Sequence, residues 1–90
     1  MTNQTEETLL EFPCDFPIKA FGESREDFVE KVLTIVRRHS DSVTTDSIKC
    51  RKSNGGKYDA VTITITATSK SQLDAIYQDL TASPDVLMAL

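Results

Sequence analysis

The chain has one histidine, His39, and two cysteines, Cys14 and Cys50. That supply is too small and too scattered for a zinc site or a thioredoxin-type redox pair, both of which need closely spaced ligands. Long apolar runs are also missing: nothing approaches the roughly 20 residues that cross a bilayer. The polar, acidic start MTNQTEETLL has neither the basic residues nor the apolar stretch of a signal peptide. Basic residues are outnumbered, 10 Lys and Arg against 14 Asp and Glu, and the net charge of −4 argues against a general affinity for nucleic acid or anionic membrane. These absences place the chain in a reducing cytoplasm, away from membranes, with its thiols free. A catalytic set is lacking as well. No nucleophile accompanies His39 in sequence, no carboxylate pair is placed for acid–base work, and no cofactor motif occurs. Asn54-Gly55-Gly56-Lys57 lacks the spacing of a phosphate loop and joins two strands, so it reads as a turn.

What the sequence does contain is alternation. In the run KYDAVTITITAT, residues 57–68, Val61, Ile63, Ile65 and Ala67 share one side and Tyr58, Ala60, Thr62, Thr64 and Thr66 the other, the period of a half-buried strand with a β-branched hydroxyl face. An earlier strand, Phe16 to Phe21, sets Phe16, Ile18 and Ala20 against Lys19 and Phe21 and closes at Gly22. Ser24, followed by Glu26 and Asp27, reads as the N-cap of a first helix with the stripe Phe28, Val29, Val32, Leu33 and Val36, closed by Arg37, Arg38 and His39. A second strand is expected over Val43 to Lys52, with Ile48 and Cys50 inward, at a sheet edge where its Lys and Arg discourage outside pairing. Ser53 to Gly56 supplies the hairpin turn. Ser69 and Gln72 form a capping box for a second helix over about 70–82, carrying Leu73, Ile76, Tyr77 and Leu80 on one face. Pro84 ends it, and Val86 to Leu90 is a short last strand.

Residues 1–8 are polar and read as a mobile tail, and residues 9–90 as one domain, with Leu9, Leu10 and Phe12 a cover segment ahead of Pro13 and Pro17. The order β-α-β-β-α-β has a compact solution in the α+β class, the ferredoxin-like sandwich. Its four-stranded antiparallel sheet carries two helices on one face, with the first and third strands central.

That arrangement leaves Lys19, Phe21, Lys49, Arg51, Tyr58, Thr62, Thr64 and Thr66 on the open face of the sheet, to meet solvent, a partner or a second copy of the chain. Single-stranded nucleic acid is the alternative occupant. The basic residues and Tyr58 suit it, but the middle of the third strand has threonines where such modules carry base-stacking aromatics. A second candidate is the turn Gly22, Glu23, Ser24, where a glycine before a helix N-terminus leaves backbone amides for a small anionic ligand. Cys50 fills a small inward site, and Lys49, Arg51 and Lys52 raise its reactivity only if its sulfur is exposed. Cys14 has no cationic neighbour.

The run LLEFPCDFPIKAFG, the helix ending VRRH, the GGKYDAVTITITAT strand and the closing VLMAL together resemble the YbeD-like family of small bacterial proteins of unknown function, over Leu9 to Leu90. The resemblance implies a sandwich similar to the ACT-type regulatory domains, which bind amino acids or other small effectors and often pair through their sheets. It maps the family's recurring positions onto Phe12, Pro13, Lys19, Gly22, His39, Gly56, Tyr58 and Thr66, and an ACT-type ligand site onto Gly22, Glu23 and Ser24. Gene neighbourhood suggests a link of the family to lipoate metabolism. No activity and no cofactor come with the family. The expectation is a non-enzymatic regulatory or interaction protein with a protein or small-molecule effector as partner, able to form a homodimer through its sheet.

Overall fold

The computed structural model describes residues 11–90; the expected tail at 1–8 and the cover residues Leu9 and Leu10 lie outside them. The elements run β1 (Cys14–Glu23), α1 (Phe28–Arg37), β2 (Ile48–Lys52), β3 (Tyr58–Ala67), α2 (Lys70–Ala82) and β4 (Met88–Ala89). The strands pair antiparallel in the spatial order β2-β3-β1-β4, so β1 and β3 are central, as expected for the ferredoxin-like sandwich. Ile18 and Ala20 of β1 and Val61, Ile63, Ile65 and Ala67 of β3 form the inner face of the sheet. Against it pack Phe28, Val32, Ile35 and Val36 from α1 and Leu73, Ile76 and Leu80 from α2. Each large side chain fully buried here contributes about 1.5–3 kcal/mol relative to exposure.

β1 starts earlier than the sequence suggests and runs through Pro17, a residue normally kept out of central strands. The ladder explains why. Lys19 exchanges both its backbone hydrogen bonds with Leu90, at 3.0 and 2.8 Å, so its amide points toward β4. Pro17, two residues earlier, directs its missing N–H to that same side, beyond the end of β4, and no bond to β3 is lost.

Two expectations at helix and strand starts are corrected. Ser24 does not cap α1, which begins at Phe28 with Asp27 at the cap position and no side-chain cap bond. The Ser24 hydroxyl is engaged elsewhere, accepting from Lys52 Nζ at 2.7 Å, while its amide donates to the Lys57 carbonyl at 2.9 Å. β2 begins at Ile48, not Val43, because Thr44 and Ser47 bond each other and Ser42 bonds across to β3. Ser47 N donates to the Thr44 carbonyl at 2.9 Å, and Ser42 Oγ accepts from Thr66 N at 2.9 Å, closing part of β3 that β2 is too short to cover.

The hairpin turn and α2 form as expected. Gly55 and Gly56 take φ of 83° and 72°, which glycine adopts without steric penalty. Ser69 Oγ accepts from Gln72 N at 3.1 Å, while Gln72 reaches past the cap to Thr68 N at 2.8 Å and ties α2 to α1 by donating to the His39 carbonyl at 2.7 Å. Ser69→Ala is expected to cost about 1 kcal/mol. Chemical denaturation followed by circular dichroism measures it, and an unchanged midpoint would deny the cap a role. α2 also fixes β4: the Tyr77 hydroxyl donates to the Leu90 carbonyl at 2.6 Å, and burial raises its pKa.

Candidate interaction face

The sheet face away from the helices gathers the residues that strand alternation assigns to it. The register aligns Lys19, Thr62 and Lys49 in one row across β1, β3 and β2, and Phe21, Ala60 and Arg51 in the next. Small Ala60 and Thr62 form the floor of a groove, with Lys19 and Phe21 on one side and Lys49 and Arg51 on the other. Tyr58, opposite Glu23, stands at one end with 45% exposure; Thr64 and Thr66 continue toward the other, opposite Pro17 and Asp15. Two members of this face are not evident from the sequence. Met88 lies across from Phe21, and the reciprocal hydrogen bonds place Leu90 beside Lys19; they are 54% and 61% exposed. Alternation in VLMAL is their one sequence signal, and it leaves the register open.

The charges of this face are unevenly satisfied. Glu23 is paired with Arg25 at 3.0 Å, whereas Lys19, Lys49 and Arg51 have no ion-pair partner among the described residues. A cation cluster thus sits on an acidic chain.

The turn Gly22, Glu23, Ser24 is built differently from a ligand site at a helix N-terminus. Gly22 lies inside β1 opposite Asp59, the Ser24 amide is taken by Lys57, and α1 starts farther along the chain. Gly22 is buried, and the Phe28 ring and the Asp85 carbonyl press on the position a side chain would occupy. Its glycine is required by this close approach.

Beside it lies a buried carboxylate. Asp59, two places before Val61 and therefore on the helix side, is 4% exposed and pairs with Lys52 Nζ at 3.2 Å. The same ammonium holds Ser24 Oγ, so one lysine neutralises Asp59 and draws the turn onto the hairpin. His39 is likewise engaged, its Nε2 lying 2.6 Å from Asp79 Oδ2, a contact between the ends of α1 and α2. Among the described residues no three His, Cys, Asp or Glu side chains converge where a metal ion could be held.

Cys50 faces the helix side of the sheet, opposite Val61, as its alternation suggests, but it is exposed and fills no inner site, because the helices pack over β1, β3 and β4 and leave the outer strand uncovered. Partial burial nevertheless pushes its thiol pKa up, Asp59 adds to this, and Lys52 offsets part of it. A raised pKa leaves less thiolate at a given pH. Cys50 is therefore expected to react with iodoacetamide more slowly than a free peptide thiol at neutral pH and to gain on it as the pH rises. Faster modification at neutral pH would contradict this environment.

A two-layer sandwich with one bare sheet face defines a small module of the ACT-like shape. The chain belongs to the family described as protein of unknown function (DUF493), which matches residues 7–90 and bears out the YbeD-like resemblance. A UPF0250 protein of Paraburkholderia phytofirmans is 46% identical to it over 84 residues, spanning 93% of this chain and 94% of the relative. Among solved structures, the ACT domain from GTP pyrophosphokinase of Chlorobium tepidum is similar with a TM-score of 0.63 at 15% identity, covering 86% of this chain and 97% of that one. Protein HP0495 from H. pylori is similar with a TM-score of 0.67 at 13% identity, covering 90% and 85%. At such identities the likeness is one of fold. Among the described residues no helix is long and apolar enough to cross a membrane.

Proposed function

We propose that this protein is a non-catalytic regulatory module that acts by binding, and that the open face of its sheet is the binding surface. One observation carries this: on a chain of net charge −4, Lys19, Lys49 and Arg51 stand together without ion partners among the described residues, bordered by exposed Tyr58, Met88 and Leu90. Isolated exposed apolar residues are ordinary, but a row of Phe, Met, Tyr and Arg on one rigid face has the composition of an interface core. The Chlorobium tepidum ACT domain comes from an enzyme, GTP pyrophosphokinase. On a fold of that shape, an exposed sheet face is a means of engaging a target.

The proposal predicts that the protein elutes from a native lysate in a larger complex than it forms when purified. Met88→Asp, a change at an exposed position, should return it to the elution volume of the purified protein. Identical elution from lysate and from purified stock would count against a binding role.

A further inference from the structure

Building on the open face as the binding surface, we infer that the partner is a protein whose contact surface carries carboxylates over β2 and β3 and an apolar strip over β1 and β4. The two halves of the face differ in chemistry. Leu90, Met88 and Phe21 lie at the β4 side, and Lys49 and Arg51 at the β2 side, with Lys19 in the row between Leu90 and Thr62. Strands lie about 4.8 Å apart, so the Lys19 and Lys49 backbones, with β3 between them, are separated by roughly 10 Å. Their side chains stand on either side of Thr62 and Ala60, with Arg51 one step along the strand from Lys49. Carboxylates entering over that low floor come between Lys19 on one side and Lys49 and Arg51 on the other. None of the three has an ion-pair partner among the described residues: of the carboxylates on this face, Glu23 is held by Arg25, and Asp15 lies toward the far end of β1, opposite Thr66.

The other occupants fit less well. A second copy docking face to face about a two-fold axis would set this cation cluster against either its own image or the other copy's apolar strip, and neither offers the carboxylates that would neutralise it. Single-stranded nucleic acid would match the charge, but Thr62 and Thr64 occupy the centre of β3 where bases need aromatic platforms, and Met88 and Leu90 offer no polar readout. A free small anion would gain the charges and leave the apolar strip uncovered.

The test compares the full-length wild type with Lys49→Glu/Arg51→Glu. A control of equal charge change, Arg37→Glu/Lys70→Glu, lies on exposed helix positions. Proteins retained by the immobilised wild type from a nuclease-treated native lysate are identified, purified and measured singly against all three chains. The expected result is a purified acidic protein that binds the wild type and the control alike, loses at least about tenfold in affinity for Lys49→Glu/Arg51→Glu, and weakens with added salt. Binding by a purified partner that is indifferent to Lys49→Glu/Arg51→Glu would overturn the acidic assignment while leaving the binding surface in place. So would retention found only when the nuclease treatment is omitted, or self-association of the wild type that the face variant removes. If no purified protein binds the wild type, the binding role and the acidic assignment fall together.

Discussion

Phe28→Ala is expected to destabilise the protein by about 3–5 kcal/mol, the range for deleting a fully buried aromatic ring. Phe28 is the first residue of α1, is 1% exposed, and extends from the helix onto the end of β1. Its ring is the largest of the fully buried side chains and lies over Gly22. A domain of this size has about 5–15 kcal/mol in total, so the variant would retain little margin. Urea unfolding followed by circular dichroism would show a midpoint far below the wild type; a small shift would mean that neighbouring side chains collapse into the space.

Gly22→Ala approaches the same contact from the opposite side. The added methyl would stand 2.7 Å from Phe28 Cζ and closer still to the Asp85 carbonyl, well inside ordinary contact distance. Insertion of one carbon into a packed site costs about 1–3 kcal/mol. The upper end is expected because one obstacle is backbone, and that backbone is held by Leu87 N donating to the Phe21 carbonyl at 2.7 Å. The double variant Gly22→Ala/Phe28→Ala should cost less than the sum of its parts, since removal of the ring relieves one of the two clashes. Strict additivity would show that the two residues do not share a contact.

These effects also mark how far the sequence can be read. The alternation of β3 is unbroken from Tyr58 to Ala67, so both faces of that strand could be assigned residue by residue. The groove residues Lys19, Phe21, Lys49, Arg51, Tyr58, Thr62 and Thr64 come together on one face because a sheet obeys that same period. α2 was legible for a similar reason, since its cap bond and apolar stripe are both local. Elsewhere the deciding contact comes from far along the chain. Ser24 has the chemistry of a cap, but Lys52, on another strand, takes its hydroxyl. Gly22 looks like an open anion site until the loop at Asp85 is seen to close over it. Cys50 follows the inward alternation of its strand, yet inward is not buried on an outer strand without a helix above it. Met88 and Leu90 cannot be placed on a face from the sequence, because a two-residue strand has no periodicity of its own and takes its register from β1.

The central claim, that the open sheet face is where this protein meets its partner, is tested most directly by lysine acetylation footprinting with residue-level readout. Full-length protein is labelled once purified and once in native lysate, with Lys70 on α2 as the internal reference. Coverage of the face predicts that Lys19 and Lys49 become markedly slower to acetylate in the lysate while Lys70 keeps its rate. Equal rates at all three lysines in both conditions, or protection confined to Lys70, would contradict it.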